Sequence, residues 1–156
     1  MVDSKNYFLQ PGYIFVSQDL HLVHIVLGSC VAVCLWDSQK NFGGACHFIY
    51  PTAKVGQTNG KIGELAIPHL IRMMQDLGAD LSHLRAHVIG GASRIDFNST
   101  IGTDNAAFVG ATFDKLHIKV VTKEVGGTYG RKVIYNTMTG KIFVYQTEDI
   151  RQSDWY

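Results

Sequence analysis

The chain has 156 residues, of which 46% are hydrophobic and 17% are charged. This is the usual size of one domain with a sizeable core, so residues 1–156 are treated as a single domain. Fourteen Lys and Arg nearly balance thirteen Asp and Glu, and this balance argues against a nucleic-acid-binding protein. No apolar run approaches the roughly 18 residues of a membrane span, so no membrane insertion is expected.

The cysteine count indicates a compartment. The chain has an odd number of cysteines, namely Cys30, Cys34 and Cys46. Its first residues contain no apolar run of signal-peptide length. Free thiols in a reducing cytoplasm explain this pattern better than a disulfide framework. We therefore expect a cytoplasmic protein.

Four short strands are predicted in the first third of the chain, at residues 14–17, 22–27, 31–36 and 43–50. The run VAVCLW at 31–36 is apolar and rich in β-formers, which is typical of a strand buried on both faces. The polar stretch DSQKNF that follows it predicts a turn. Residues 51–63 are rich in Gly, Thr and Asn and predict a loop.

An amphipathic helix is predicted after this loop. Apolar residues recur there at i, i+3, i+4 and i+7, namely Leu70, Met73, Met74 and Leu77. Gly78 stands where a C-terminal cap belongs. Pro68 either occupies the first turn of this helix or kinks a longer helix that begins near Ile62.

The second half of the chain continues the alternation of strands and helices. A buried strand at 86–89 runs into a glycine turn, and Asp104 is the predicted N-cap of a second helix. The apolar stripe of that helix is Val109, Thr112, Phe113 and Leu116. A strand at 118–125 follows, and then a hairpin with strands 132–135 and 141–146 around the loop 136–140. An α/β domain of the α+β type, with at least some antiparallel pairing, is predicted.

A metal site at the cysteines is not expected. Cys30 and Cys34 are four residues apart on one strand, a separation of roughly 13 Å, which tetrahedral zinc does not bridge. Cys46 and His47 are neighbours on a strand and point to opposite faces. Neither a metal nor another cofactor is expected.

A nucleophile and base pair is the alternative at the same place. With a two-residue loop of Ser38 and Gln39, Cys30 lies directly opposite His47 on one face of a hairpin. A four-residue loop keeps the shared face and makes the contact diagonal, whereas an odd loop separates the two residues. A nearby imidazole lowers the pKa of a thiol and activates it as a nucleophile. Structural core roles for both residues are the competing interpretation.

The turn before the thiol completes this hypothetical site. Gly28 and Ser29 form a flexible turn whose backbone N–H groups suit a developing oxyanion. We expect His47 to be half-exposed and to contribute little to the core, so that His47→Ala removes activity and leaves the fold intact. Cys34 and Cys46 are explained as packing residues.

Five segments together resemble one known family. They are LGSCVAVCLWD, GGACHFIYP, HVIGGAS, IGTDNAAF and GGTYGRKVIYNTMTGKIFV. In this order they resemble the chemoreceptor glutamine deamidases of the CheD family, which act in bacterial and archaeal chemotaxis. The resemblance implies β-sheets packed as a sandwich with flanking helices, as in toxin deamidases. It also implies hydrolysis of receptor glutamine side chains through a thioester, with Cys30 as nucleophile and His47 as base.

The resemblance also implies partners. Chemoreceptor cytoplasmic helices are the expected protein substrate, and a receptor methylesterase side activity is compatible with the same thiol. A CheC-type chemotaxis phosphatase is a possible partner, so a docking module with little catalysis is the alternative function. A general cysteine protease or thioesterase is a weaker third interpretation.

Two features depart from the family pattern or lie outside it. The family often carries a Thr five or six residues before the nucleophile, where this chain has Ile25 and His24. The third catalytic position is therefore left unassigned, with a backbone carbonyl as one way to orient His47. Residues 152–156 (QSDWY) are predicted to be a frayed end, with a docking element as the alternative.

Overall fold

The computed structural model describes residues 5–54 and 59–156, and within them the chain forms two β-sheets and two α-helices. The first sheet has the order β1-β3-β8-β9 and the second has the order β2-β5-β4-β6-β7. In chain order the strands are β1 (Lys5–Phe8), β2 (Ile14–Ser17), β3 (His21–Leu27), β4 (Val31–Asp37), β5 (Phe42–Phe48), β6 (Leu84–Gly90), β7 (Lys119–Val125), β8 (Gly130–Asn136) and β9 (Ile142–Thr147). The helices are α1 (Gly63–Asp76) and α2 (Ile101–Lys115), and short 3₁₀ turns lie at Leu81–His83 and Gln152–Asp154.

The chain forms three layers with two cores. One core lies between the two sheets and contains Val23, Ile25, Cys34 and Tyr135. The other lies between the second sheet and the helices and contains Cys46. Both faces of β4 are therefore covered, as its apolar run predicts. The α+β sandwich with flanking helices is confirmed.

Most strand pairs are antiparallel, as expected for this class. Only β1 with β3 and β6 with β7 run parallel among the described strands. The strands β3 and β4 are consecutive in the chain yet belong to different sheets. The short connection 28–30 therefore crosses from one sheet to the other, and this places Cys30 at the boundary between them.

The first helix is the longer of the two alternatives. It begins at Gly63, directly after Ile62, and contains Pro68 within it. Gly78 has a φ of 99°, which favours glycine. Its N–H donates to Gln75 and the N–H of Ala79 donates to Met74, the two bonds of a Schellman cap. Of the predicted loop before this helix, residues 55–58 lie outside the described residues.

The second helix begins earlier than predicted. Its N-cap is Thr100, so the assignment of Asp104 as N-cap is wrong. Asp104 lies in the first turn, where its carboxylate accepts a hydrogen bond from the Thr100 hydroxyl at 2.9 Å. A negative charge is also favourable there, because the N-terminal N–H groups carry partial positive charge. The acidic residue therefore marks the first turn, not the cap.

The hairpin between β4 and β5 has a four-residue loop rather than a two-residue loop. Its last ladder pair is Asp37 with Phe42. The Asp37 carboxylate accepts hydrogen bonds from the N–H groups of Gln39 and Lys40, both at 2.9 Å. This local turn competes with the tighter loop, because it supplies the loop N–H groups with partners.

Two segments differ from the sequence-based expectation at the ends of the described chain. β1 was not predicted, and it is an edge strand held by four parallel register pairs with β3. Residues 152–156 are not a frayed end, because they contain a 3₁₀ turn and Asp154 is buried. Among the described residues, no helix is both long enough and apolar enough to cross a membrane.

Candidate active site

Cys30 lies in the connection between the two sheets and is almost entirely buried. Its side chain belongs to the inter-sheet core, and the residue is 2% exposed. The carbonyl of Cys30 accepts a hydrogen bond from the N–H of Gly91 at 2.8 Å. The glycine turn of the HVIGGAS segment therefore holds the backbone of the candidate nucleophile.

His47 faces the same side of the second sheet as Cys30, two residues along the ladder from the position opposite it. It pairs with Ala32, whereas the two-residue loop would have placed it opposite Cys30. The even loop length preserves the shared face, so the two residues are diagonal neighbours. Diagonal positions in a sheet lie about 7–8 Å apart, within reach of long side chains.

One nitrogen of the His47 ring is anchored and the other is not. Nδ1 lies 3.0 Å from the carbonyl oxygen of Leu9, an arrangement in which Nδ1–H donates to that oxygen. Nε2 is buried without a hydrogen-bond partner among the described residues. The Leu9 carbonyl thus fixes the tautomer in which Nε2 carries the free lone pair that a general base needs.

His47 is buried, so the expectation of a half-exposed side chain is wrong. The residue is 2% exposed. Burial lowers the pKa of the imidazole to about 4, although the Leu9 hydrogen bond and the negative charge of Asp154 favour the charged form. At neutral pH the ring is therefore uncharged and able to accept a proton.

The carbonyl of Leu9, and not the side chain of residue 24 or 25, contacts the His47 ring. Ile25 is in the inter-sheet core, and the His24 ring lies on the opposite face of its strand, 2.9 Å from the Asn6 amide oxygen. The backbone of His24 nevertheless takes part, because its carbonyl accepts a hydrogen bond from the N–H of Leu9 at 2.9 Å. Residue 24 thus positions Leu9, and Leu9 orients His47.

The surroundings of Cys30 work against the thiolate in this arrangement. Burial raises the pKa of the Cys30 thiol, and the negative charge of Asp154 raises it further. This is the opposite of the lowering expected from a neighbouring imidazole. The physical reason is that a charged sulfur loses its hydration in the core, while the uncharged ring of His47 offers no compensating positive charge.

Asn105 joins the two halves of the candidate site from α2. Its side-chain amide donates to the carbonyl of Ser29 at 2.9 Å and to the carbonyl of Ile49 at 2.7 Å. These carbonyls belong to the residue before Cys30 and to the second residue after His47. Asn105 is fully buried. Asn105 lies in the segment IGTDNAAF, which carries part of the family resemblance, but the sequence does not predict which carbonyls it binds.

We expect Asn105→Ala to destabilise the fold by about 2–3 kcal/mol, because two buried carbonyls lose their donors. The measurement is the free energy of unfolding in urea. The exposed Asn98, changed to Ala, is the control and should stay within about 0.5 kcal/mol of wild type. Equal stability of the two variants would contradict the role of Asn105 as a bridge.

Residues 151–156 lie against the connection that carries Cys30. The Tyr156 N–H donates to the Ser29 hydroxyl at 2.9 Å. A Cβ on Gly28 would collide with the Asp154 carbonyl oxygen and approach the Trp155 ring to 3.0 Å. Gly28 is therefore required for close approach of this segment. No pattern in the sequence predicts this contact, since the partners are separated by more than 120 residues.

A cavity of about 230 Å³ opens beside His47. Its lining includes Leu9, His24, His47, Lys132 and Asp154, and Cys30 does not take part in the lining. The imidazole is thus reached from this side, while the thiol is enclosed. The cavity has room for a small side chain beside the His47 residue.

The other cysteines and a second buried histidine have structural roles. Cys34 and Cys46 are fully buried and lie in different cores. Both ring nitrogens of His87 are satisfied, by the Thr122 hydroxyl at 2.9 Å and the Gly140 carbonyl at 2.6 Å. Within residues 5–54 and 59–156, no three His, Cys, Asp or Glu side chains cluster so as to hold a metal ion.

Comparison with known proteins identifies the family. The model for CheD chemotactic sensory transduction matches residues 49–146. The chain is 38% identical over 144 residues to the probable chemoreceptor glutamine deamidase CheD of Trichlorobacter lovleyi, covering 90% of this chain and 89% of the relative. It is 32% identical over 149 residues to the protein of the same name from Sulfurimonas denitrificans, covering 90% and 96%. This chain belongs to the CheD family.

A third relative extends the comparison. The probable chemoreceptor glutamine deamidase CheD of Clostridium acetobutylicum is 33% identical over 129 residues, or 78% of each chain. The range matched by the family model begins after His47.

Proposed function

We propose that this protein hydrolyses the side-chain amide of particular chemoreceptor glutamines, producing glutamate and ammonia, with Cys30 as nucleophile and His47 as base. The observation that carries the proposal is the His47 ring, anchored through Nδ1 with a free Nε2, on the same face as Cys30. The three relatives named above, all called probable chemoreceptor glutamine deamidases, supply the substrate class. The reaction belongs to chemotaxis, and its place is the cytoplasm, where receptor signalling helices lie.

The first half of the reaction forms a thioester. His47 Nε2 takes the proton from the Cys30 thiol, and the sulfur attacks the amide carbon of glutamine. The backbone N–H groups of the turn at Gly28 and Ser29 stabilise the oxyanion that develops on the amide oxygen. The imidazolium then gives its proton to the amide nitrogen, the carbon–nitrogen bond breaks, and ammonia leaves.

The second half restores the enzyme. Water enters the position of the departed ammonia, and His47 Nε2 removes one of its protons as the water oxygen attacks the thioester carbon. The carbon–sulfur bond breaks, and the proton on His47 returns to the Cys30 sulfur. The product is a glutamate side chain. The Leu9 carbonyl holds the ring in one orientation through both halves, which is the role of the orienting group in other nucleophile and base pairs.

The test is incubation of this protein with the cytoplasmic fragment of a chemoreceptor from the same organism. We expect an amide-to-acid mass change at particular glutamines, with release of an equal amount of ammonia. Asparagines and free glutamine serve as controls and should remain unchanged. No mass change at any glutamine would refute the activity. A methyl ester of the receptor glutamate, offered in parallel, measures the methylesterase side activity.

A binding function is the second candidate, and the burial of Cys30 favours it. A 2% exposed thiol with a raised pKa is unreactive in the conformation described. Such a chain could act by docking on a CheC-type chemotaxis phosphatase or on the receptor. Binding of a receptor fragment or of such a phosphatase without any glutamine turnover would favour this candidate over the deamidase.

A further inference from the structure

The 151–156 segment covers the connection that carries the candidate nucleophile. Its Asp154 carbonyl passes so close to Gly28 that no Cβ fits there. The Tyr156 N–H is bonded to the Ser29 hydroxyl, and the Tyr156 side chain packs against the inter-sheet core that contains Cys30. The segment therefore contacts or adjoins all three residues of the connection 28–30.

The segment also places a negative charge near the thiol. The Asp154 carboxylate is 6% exposed, and it accepts hydrogen bonds from the Arg151 backbone and guanidinium group. After burial itself, this carboxylate is the second cause that raises the pKa of the Cys30 thiol. Movement of the segment away from Gly28 would lessen both effects, because it would admit water and remove the charge.

Few polar contacts attach the segment to the rest of the described chain. Besides the Tyr156 to Ser29 hydrogen bond, the Arg94 guanidinium lies 5.7 Å from the centre of the Trp155 ring. Arg151 pairs with Asp154 inside the segment itself, through its exposed guanidinium group. Residues 152–154 form a single 3₁₀ turn. A short segment with such contacts opens at a lower free energy than the sheets beneath it.

We propose that the 151–156 segment is a lid over Cys30, which holds the thiol closed and unreactive and must open before an amide side chain reaches the sulfur. This inference rests on the proposed role of Cys30 as nucleophile. The cavity beside His47, which already reaches one catalytic partner, extends to the sulfur when the lid opens. The closed form is thus the resting form, and opening assembles the site.

The experiment measures alkylation of each cysteine by iodoacetamide with peptide mass spectrometry, in the full chain and without substrate. Cys34 and Cys46 are internal controls, since both are fully buried and lie on strands of the second sheet, outside the connection 28–30. In wild type, Cys30 should react slowly. In the double variant Trp155→Ala and Tyr156→Ala, its rate should rise by about tenfold or more, while the two control thiols stay protected.

Two further variants sharpen the result. Gly28→Ala should accelerate Cys30 alkylation in the same way, because the added methyl group displaces the Asp154 carbonyl. This variant leaves the amino-acid sequence of the 151–156 segment unchanged. Gln152→Ala is the matched control, because Gln152 is an exposed side chain of the same segment. It should leave the rate within about twofold of wild type.

The outcomes separate the lid from the deamidase. If Cys30 stays as slow as in wild type in both the double variant and Gly28→Ala, with Cys34 and Cys46 protected, the lid is refuted. If the double variant exposes all three cysteines, it has unfolded, and Gly28→Ala alone decides. Fast alkylation of Cys30 in the double variant, whose substitutions lie outside the proposed catalytic groups, without conversion of any receptor glutamine supports the lid and counts against the proposed function.

Discussion

Replacement of Cys30 by Ser is expected to lower receptor glutamine deamidation by about a thousandfold or more, because the hydroxyl is a far weaker nucleophile than the thiol. The substitution removes little volume but places a hydroxyl in the inter-sheet core, so a loss of about 1–3 kcal/mol of stability is expected while the fold persists. The measurement is the initial rate of ammonia release, with the thermal unfolding curve of the same sample. A covalent thioester adduct on Cys30, trapped by acid quench of wild type, should be absent from the variant.

Cys34→Ala is the matched control for this prediction. Cys34 lies on β4, in the same inter-sheet core as Cys30, and is fully buried. Its truncation should cost about 1 kcal/mol of stability and leave the deamidation rate unchanged. A change in packing alone lowers activity by about tenfold or less. If Cys30→Ser retained a tenth or more of the wild-type activity, Cys30 would therefore not be the nucleophile.

Replacement of His47 by Asn is expected to remove the base while keeping the anchor. The Asn amide group occupies the place of Nδ1–H and donates to the Leu9 carbonyl, whereas nothing replaces the free Nε2. We expect the deamidation rate to fall by about 10²–10⁴-fold, the usual contribution of a positioned general base. The fold should persist, as judged by far-ultraviolet circular dichroism.

His47→Ala should behave differently from His47→Asn, and differently from the sequence-based expectation. Because His47 is buried, its truncation leaves a cavity and an unpaired Leu9 carbonyl. A loss of about 2–4 kcal/mol of stability should result, beyond the loss of activity. Equal stability of the Ala and Asn variants would show that the Leu9 hydrogen bond contributes nothing.

The pH dependence of stability gives an independent measure of the His47 environment. Burial lowers the pKa of His47 to about 4, against 6.5 for an unburied His. As the pH falls below 6.5, the unfolded chain takes up the proton first, so the free energy of unfolding decreases until the pH reaches about 4. This single group should account for a loss of about 3 kcal/mol across that window.

The comparison with His47→Asn isolates this effect. Asn does not titrate, so the decrease between pH 6.5 and 4 should be smaller in the variant than in wild type by about 3 kcal/mol. Urea unfolding at several pH values within this range measures the difference. Parallel pH profiles for the two proteins would mean that His47 is solvated, in contradiction of its burial.

The local features of the fold were predictable because they depend on neighbouring residues. The helix stripe that contains Leu70 and Met74, with Gly78 as its cap, follows from spacing alone. The apolar run VAVCLW likewise predicts the buried strand β4 without knowledge of the strands that pair with it. The start of α2 was placed four residues too late, because Asp104 is a good cap by type and only the chain before it shows that Thr100 holds that place.

The candidate site was predictable in part. The shared face of Cys30 and His47 follows from the period of two along a strand and from an even loop length. The exact register did not follow, because the hydrogen bonds of the Asp37 carboxylate favour a four-residue loop. The burial of His47 was missed because its neighbours include residues 9–13, a distant part of the chain: Leu9 contacts its ring, and Gly12 and Tyr13 bond to its backbone.

The sequence alone was sufficient for the fold class and the family, and it predicted Cys30 and His47 as a candidate nucleophile and base. The near-neutral charge argued against a basic nucleic-acid-binding protein, and the odd number of cysteines predicted free thiols in a reducing compartment. The tertiary structure decided how that pair is held. Leu9, Asn105 and the 151–156 segment reach the site across 38, 76 and 127 residues respectively. Contacts between residues so far apart in the sequence depend on how the two sheets and α2 pack. The periodicity of residues along the chain does not predict them.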